Sequence, residues 1–359
     1  MANQTYPNVV LEAKLEDMYS TRVAMNDFLT IDNNLQAKAG NKIKINRYSV
    51  SGSVEDLSMG NGNSGSIETV IKSAEYTVGY TQGKAAYYDE QFNEDPLVVD
   101  TLLQGMAAKM ANDNATKIFA ELQKSHTWSI SASLGFDAFA DAVAALNVEE
   151  GEKFFAYIHP SDLATLRKAL NSDLKYVEAF ARTGYVGTVC GCDVIINKAA
   201  TKGEVELFSR EAVTLFNKKG IEVEQNRDAD HRKNELYIRK DCVVALTNET
   251  KAIRMFFGLS DFITTSADVS TTASTTSGST VLHVYAAPAG YKWVYKAGSS
   301  AATPTFGTAY TTGVTAITTL DTTIAMSTNT HLTVVLVNAT DNKPVAYKDL
   351  TGDDLHIGA

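Results

Sequence analysis

Three groups of side chains in this 359-residue sequence have the types and spacing that chemistry requires. Cys190-Gly191-Cys192 sets two thiols close enough to chelate a soft metal. A structural zinc site takes four ligands, and the remaining cysteine, Cys242, has no paired neighbour, so these thiols read as structural or inert. His231 lies beside Asp228 and Asp230 in NRDADHRKNE, a composition that suits metal binding or acid–base work. The same stretch is dense in both charge signs, which suits a solvated loop or an inter-subunit contact better. Ser161 follows His159 but lacks the glycine-flanked elbow that exposes a serine nucleophile; as the cap of a helix it is fully explained. No phosphate-binding loop, dinucleotide fingerprint or HExxH stretch occurs. The expectation is a protein that is not an enzyme, with no catalytic residue, cofactor or metal.

Composition sets the frame for the elements that carry these residues. The chain is 44% hydrophobic and 21% charged, the balance of a soluble globular protein. A net charge of −10 argues against a tight sequence-independent grip on nucleic acid, which needs clustered Lys and Arg. It remains compatible with a container for DNA. Three cysteines make a disulfide framework an unsuitable reading and point to a reducing cytoplasm. The opening MANQTYPNVVLEAKLEDMY has no basic region followed by an apolar one, so no signal peptide is expected. No run approaches the roughly 20 apolar residues of a membrane span.

Val9 to Leu29, with Val10, Leu11, Leu15, Val23 and Met25 among Glu and Lys, reads as an arm with some helix rather than a core element. In NKIKINRY, Ile43 and Ile45 alternate with Lys42, Lys44 and Asn46, the period of a half-exposed strand. A polar stretch, Ser58 to Ser66, carries Gly60, Gly62 and Gly65, and a return strand carries Tyr76, Val78 and Tyr80. Together they form a long β-hairpin with a flexible tip, too long to bury itself against its own domain. Ile43, Ile45, Tyr76, Val78 and Tyr80 are therefore the candidates for contact with another subunit. Asp95 to Lys124 reads as a helix: Asp95 caps it, Pro96 takes its first position, and Val99, Leu102, Leu103, Met106, Met110 and Ile118 recur at helical spacing. About 30 residues at 1.5 Å each give a rod of roughly 45 Å.

From Ser129 to Phe256 the pattern is mixed α+β. After Phe257 the composition turns to Thr, Ser and Ala, and residues 258–279 read as a linker. Residues 280–359 read as all-β, with strands at Val281–Tyr285, Tyr291–Tyr295, Ala309–Thr312, Ala316–Thr319, Thr323–Met326, Leu332–Val337 and Val345–Leu350. Short strands at that density fit an immunoglobulin-like sandwich with Trp293 in its core, without the paired cysteines of antibody domains.

The order of polar arm, Gly-tipped hairpin, helix begun by Asp-Pro, and α+β region containing HPSDLATLRKAL resembles the tailed-bacteriophage major capsid proteins of the Hong Kong 97 fold. The resemblance covers residues 1–257 and rests on the order and lengths of elements rather than on one motif. It implies an N-arm (1–40), an extended loop (41–88), a spine helix (95–124), an axial domain (about 129–225) and a return to a peripheral domain (226–257) through ELYIRKDCVVALTNETKAIRMF. It also implies self-assembly through pentamers and hexamers into an icosahedral shell around double-stranded DNA, bound without sequence specificity. Portal and scaffolding proteins are the implied partners, with assembly in the host bacterial cytoplasm, residence in the virion and no membrane. Many relatives carry an N-terminal scaffolding segment, and here the extended loop begins too early for one. The Thr-rich tail resembles appended surface decoration domains, which implies an outward position and either a glycan or cell-surface ligand or simple shielding. Lys72 and Lys84 invite comparison with relatives that form isopeptide cross-links, though ordinary surface lysines explain them. The alternatives are an encapsulin-like compartment shell and an extracellular adhesin or surface-layer protein.

Overall fold

The computed structural model describes residues 5–7, 9–22, 28–37, 40–51, 54–60, 62–146, 152–174, 187–263 and 269–358. The chain opens with β1 (Thr5–Pro7), α1 (Val9–Arg22), β2 (Thr30–Asp32), β3 (Lys42–Ser51), β4 (Glu68–Thr77), β5 (Gly79–Tyr88), α2 (Asp89–Glu94) and α3 (Val98–Leu122). Next come β6 (Trp128–Ser131), α4 (Phe136–Leu146), β7 (Phe154–Ile158), α5 (Pro160–Leu174), β8 (Thr188–Val189), β9 (Cys192–Ile196) and β10 (Glu204–Ser209). Two long strands, β11 (Val213–Asp228) and β12 (Lys233–Leu246), precede β13 (Ala252–Phe257). The tail holds β14 (Val269–Ala273), β15 (Ser279–Val284), β16 (Tyr291–Gly298), β17 (Thr315–Ala316), β18 (Asp321–Ala325), β19 (His331–Asn338) and β20 (Pro344–Thr351).

The chain divides into two compact units. The first comprises Met1–Gln123, Lys153–Phe155 and Phe208–Ala252; the second comprises Lys124–Glu152, Ala156–Leu207 and Ile253–Ala359. Sequence placed the return from axial to peripheral domain near residue 226. That position lies inside β11, which is paired with β12 from Val213↔Leu246 to Asp228↔Lys233. The first unit resumes at Phe208.

The first unit is built on the sheet β1-β11-β12-β5, with β2 parallel to β11. Along β11 and β12, Ile221, Val223, Leu236 and Ile238 turn to one face, as strand alternation dictates. They meet Leu103, Met106, Ala107 and Met110 of α3. Leu15 and Tyr19 of α1 enter the same cluster, Leu15 with no exposed surface. The first segment is therefore a core element, contrary to its reading as an arm: Leu11, Leu15, Met18 and Tyr19 form one helical stripe, enough to seat α1 on α3. Val23 and Met25 lie outside the described residues. Gly83 of β5 is paired with Ile238, whose side chain lies over it, so a Cβ there would come within 2.9 Å of the Ile238 Cγ1 and force that side chain to shift.

Helix α3 starts at Val98, two residues after the Pro96 that sequence puts at its first position. The Asp95 carboxylate accepts from the Leu97 N–H at 2.9 Å and its carbonyl from the Val98 N–H at 3.1 Å, so Asp95 caps a turn that leads into the helix. The 25 residues that follow span about 38 Å at the α-helical rise. Asp113 and Lys117 form an i,i+4 ion pair at 2.6 Å.

The second unit is built on a six-stranded sheet in the order β6-β13-β10-β7-β9-β8. Helix α5 is capped by His159, not Ser161: the His159 Nδ1 accepts from the Ser161 N–H at 3.1 Å and the His159 carbonyl accepts from the Asp162 and Leu163 N–H groups. Pro160 occupies the first helical position, which places the cap one residue before it. The tail adds two antiparallel sheets, β14-β15-β18 and β17-β16-β19-β20. Its first strand lies within the stretch read as linker, because Val269 and Thr271 point inward while Ser270 and Thr272 face solvent. Ala309–Thr312 is not a strand. Tyr310 closes a loop instead, its N–H donating to the Asn342 carbonyl and its hydroxyl to the Ala302 carbonyl at 2.8 Å. Trp293 is buried with Leu282, Ile324, Leu336 and Leu350, and that core continues into Trp128 and Phe256 of the six-stranded sheet.

Leu103 is enclosed by α1, α3 and the strands beneath them, so Leu103→Ala should destabilise the first unit by about 3 kcal/mol. Denaturant unfolding of the purified chain measures this, and a loss below about 0.5 kcal/mol would place Leu103 outside the core.

Candidate assembly surface

The hairpin β3/β4 is the feature of the first unit that its own core does not explain. Its ten antiparallel pairs run from Lys42↔Thr77 to Ser51↔Glu68, a ribbon of roughly 33 Å at the β rise. Its base is fixed. The Val78 N–H donates to the Asn41 carbonyl at 2.8 Å, and Ile45 and Val78 are buried with Leu35, Phe216, Val243 and Ala245. Ile43 and Tyr76 pack on this cluster half-buried. Four of the five residues expected at a subunit contact are thus brought together at the base, against their own chain. Tyr80 is separate: it sits on β5 opposite Asp241 and is 69% exposed.

The hairpin therefore ends at Thr77, and the alternation Tyr76, Val78, Tyr80 crosses from one sheet into another. At the far end the glycine-rich stretch folds back on Glu55. The Glu55 carboxylate accepts from the Ser64 N–H at 2.9 Å and the Ser64 hydroxyl at 2.6 Å, and a Cβ on Gly65 would lie only 3.1 Å from it. These hydrogen bonds hold the Glu55 carboxyl below its usual range. Around this staple Val54, Leu57, Met59 and Ile67 are all exposed, Met59 completely. The sequence carried the signal in VEDLSMGNGNSGSI, four apolar residues inside a polar run, but glycine content hid it.

The sheet face away from α1 and α3 is a charge lattice. Glu235 accepts from Lys84 at 2.9 Å, from Lys233 at 2.8 Å and from the Tyr237 hydroxyl at 2.7 Å, which lowers its carboxyl to about 2. Lys84 is thereby engaged within the chain; the Lys72 side chain lies outside the described residues. Beside α3 on the other face lies a groove of about 470 Å³, lined by Leu102, Met106, Met110, Ile238, Gly83 and Gly105 with Lys109 among its polar residues.

The residues that suggested chemistry are placed as structure. Cys190 and Gly191, with φ of 50° and 79°, make the two-residue turn between β8 and β9. Burial pushes the Cys192 thiol up to about 12. His231 and Asp228, 2.7 Å apart, belong to the turn between β11 and β12, where Asp228 also accepts from the Asp230 and His231 N–H groups. Among the described residues no group of three or more His, Cys, Asp or Glu is placed to hold a metal. In the tail, Thr272 Oγ1 lies 2.7 Å from His283 Nε2, and His283 Nδ1 lies 2.5 Å from Asp321. That is the order of a hydrolase relay, but Thr272 and Asp321 are exposed on the face of an open sheet, where a cross-strand polar ladder accounts for the contacts.

No protein-family model matches the chain, and no curated protein matches it in sequence. Its fold does match solved capsids. The capsid of a native GTA particle is 12% identical with a TM-score of 0.53, covering 67% of this chain and 91% of that one. The capsid of Ralstonia phage GP4 is 8% identical with a TM-score of 0.51, covering 65% and 88%. The mature capsid of bacteriophage PhiM1 is 10% identical with a TM-score of 0.50, covering 65% and 86%. The chain has the α+β fold of phage capsid proteins.

The Glu55 staple gives a direct test of the tip. Glu55→Ala should raise hydrogen exchange at the Ser64 amide to the rate of an open chain. In the wild type the same loss should come only as pH falls through the lowered carboxyl value, since the ionised form makes the bonds. An unchanged exchange rate in the variant would mean that the tip is held by something else.

Proposed function

We propose that the chain is the major capsid protein of a tailed phage, assembling through pentamers and hexamers into the icosahedral shell that encloses the double-stranded DNA genome. The observation that carries this reading is the hairpin: its base is anchored in the first unit and its tip presents Val54, Leu57, Met59 and Ile67 to solvent, on a fold shared with capsid chains. Apolar residues so arranged suit a surface covered by another copy. The methionine-floored groove beside α3 suits such a tip, with Lys109 to meet Glu55 and Asp56. Contacts between two different patches repeat head to tail and close into rings when the rotation permits.

The net charge of −10 supports containment of DNA without adhesion. Portal and scaffolding proteins are the further partners of this reading, and the virion, assembled in the host cytoplasm, is its location. The tail is read as an immunoglobulin-like module. Its strand order, β14-β15-β18 against β17-β16-β19-β20, fits such a sandwich with the fourth strand moved to the second sheet. It faces outward in this reading, where it shields the shell or meets a glycan.

Leu57→Asp combined with Met59→Asp places charge on the tip without touching the core, and Gly105→Phe fills the groove from a position whose Cβ meets nothing within 4 Å. Both variants should remain folded by circular dichroism and fail to form large particles in sedimentation velocity, while the wild type forms them. Particles of wild-type size from either variant would remove the tip or the groove from the assembly contact.

A further inference from the structure

Strand β10 lies between β13 and β7, so both of its edges are paired, and its residues are buried on both faces. Its alternation sends Glu204 and Glu206 to one face, and Arg254 of β13 projects to the same place. The Arg254 Nε is 2.8 Å from Glu204 Oε1 and 3.7 Å from Glu206 Oε1. All three residues are buried, Glu206 completely. The guanidinium also lies over the rings of Trp128 and Phe256, 5.6 and 5.0 Å from their centroids. Both Glu206 oxygens and the Trp128 indole N–H are buried without a hydrogen-bond partner.

Two carboxylates and one guanidinium leave one negative charge in excess, in a place that water does not reach. Such a charge is expensive unless it is neutralised. Glu204 lies on the same face of β10, and two carboxylates placed side by side in a buried site are relieved when one of them carries a proton. Burial and the neighbouring Glu204 both act in that direction, raising Glu206 well above the carboxylate range against the pull of Arg254. Glu204 and Arg254 are the charged groups that act on Glu206, and two further ionisable groups on the surrounding elements have partners of their own. Asp162 of α5 accepts the Gly203 N–H at 2.9 Å, and Tyr157 of β7 pairs with Asn197 at 2.8 Å.

We propose that Glu204, Glu206 and Arg254 form a proton-held latch: Glu206 keeps a proton in the folded second unit, and losing it as pH rises loosens the seat of the tail. The link to the tail is direct, because Trp128 and Phe256, whose rings both lie against Arg254, belong to the same apolar core as Trp293, Leu282 and Leu336. Trp128 and Trp293 have ring centroids 6.5 Å apart. The folded unit holds a proton that the unfolded chain releases above the ordinary glutamate value. Stability is therefore full below that value and falls as pH rises through the window up to the raised one.

The chain's two tryptophans both lie in this core, so intrinsic fluorescence of the full-length protein reports on it selectively. Raising pH should shift wild-type emission to the red and lower the thermal midpoint of the unit. Glu206→Gln keeps the shape and has no proton to lose, so its emission and midpoint should stay flat across the same range. Glu204→Gln leaves one carboxylate for Arg254 and should also abolish the shift. A shift of the same size on raising pH in both variants, or none in the wild type, would overturn the latch.

Discussion

A two-stranded β ribbon cannot stabilise itself in water, because each strand has only one partner and neither face is covered. The hairpin β3/β4 meets this constraint at one end only. Ile45 and Val78 are buried at its base with Phe216 and Val243, while Met59 and its neighbours at the tip are exposed. The remainder of the first unit supplies what such a ribbon needs, a rigid platform. The long β11/β12 pair, backed by α1 and α3, holds the base strands in register. The Glu55 staple gives the tip one shape, which lowers the entropy lost when it meets a partner.

The second unit solves a different problem. Its six-stranded sheet is roofed by the tail's core through Trp128, Phe256 and Trp293, so the tail rests on this sheet through a packed apolar contact. Close to that contact lies the Glu204–Arg254–Glu206 triad. Apolar residues of similar volume would hold such a seat at least as firmly. A polar triad makes it conditional on protonation, which a purely apolar seat is not.

What the sequence made legible follows from which rules act locally. Ile43 and Ile45 alternating with Lys42 and Lys44 identified the hairpin's first strand, because one face of a base is buried and the other is not. The apolar repeat from Leu103 to Ile118 identified α3 for the same reason. The end of the hairpin at Thr77 was not legible, since Tyr76, Val78 and Tyr80 keep period two across a change of partner strand. The cap of α5 was misplaced because histidine ranks low as a cap, and only the fold shows Nδ1 receiving the Ser161 N–H. Strand β14 was hidden by composition: Thr-rich runs resemble linkers until a partner such as β15 gives them an inside. Glu204 and Glu206 were the least visible. EVELFS reads as a strand with a wet face, and only its interior position in the sheet turns that face inward.

The account's central claim is that the exposed tip of one copy is covered by another. Electron cryomicroscopy of particles formed by the purified chain tests it most directly. The expected result is a closed shell in which Met59 and Leu57 of each copy lie against a neighbouring copy. A chain that stays monomeric under assembly conditions, or a shell whose hairpin tips point into solvent, would contradict it.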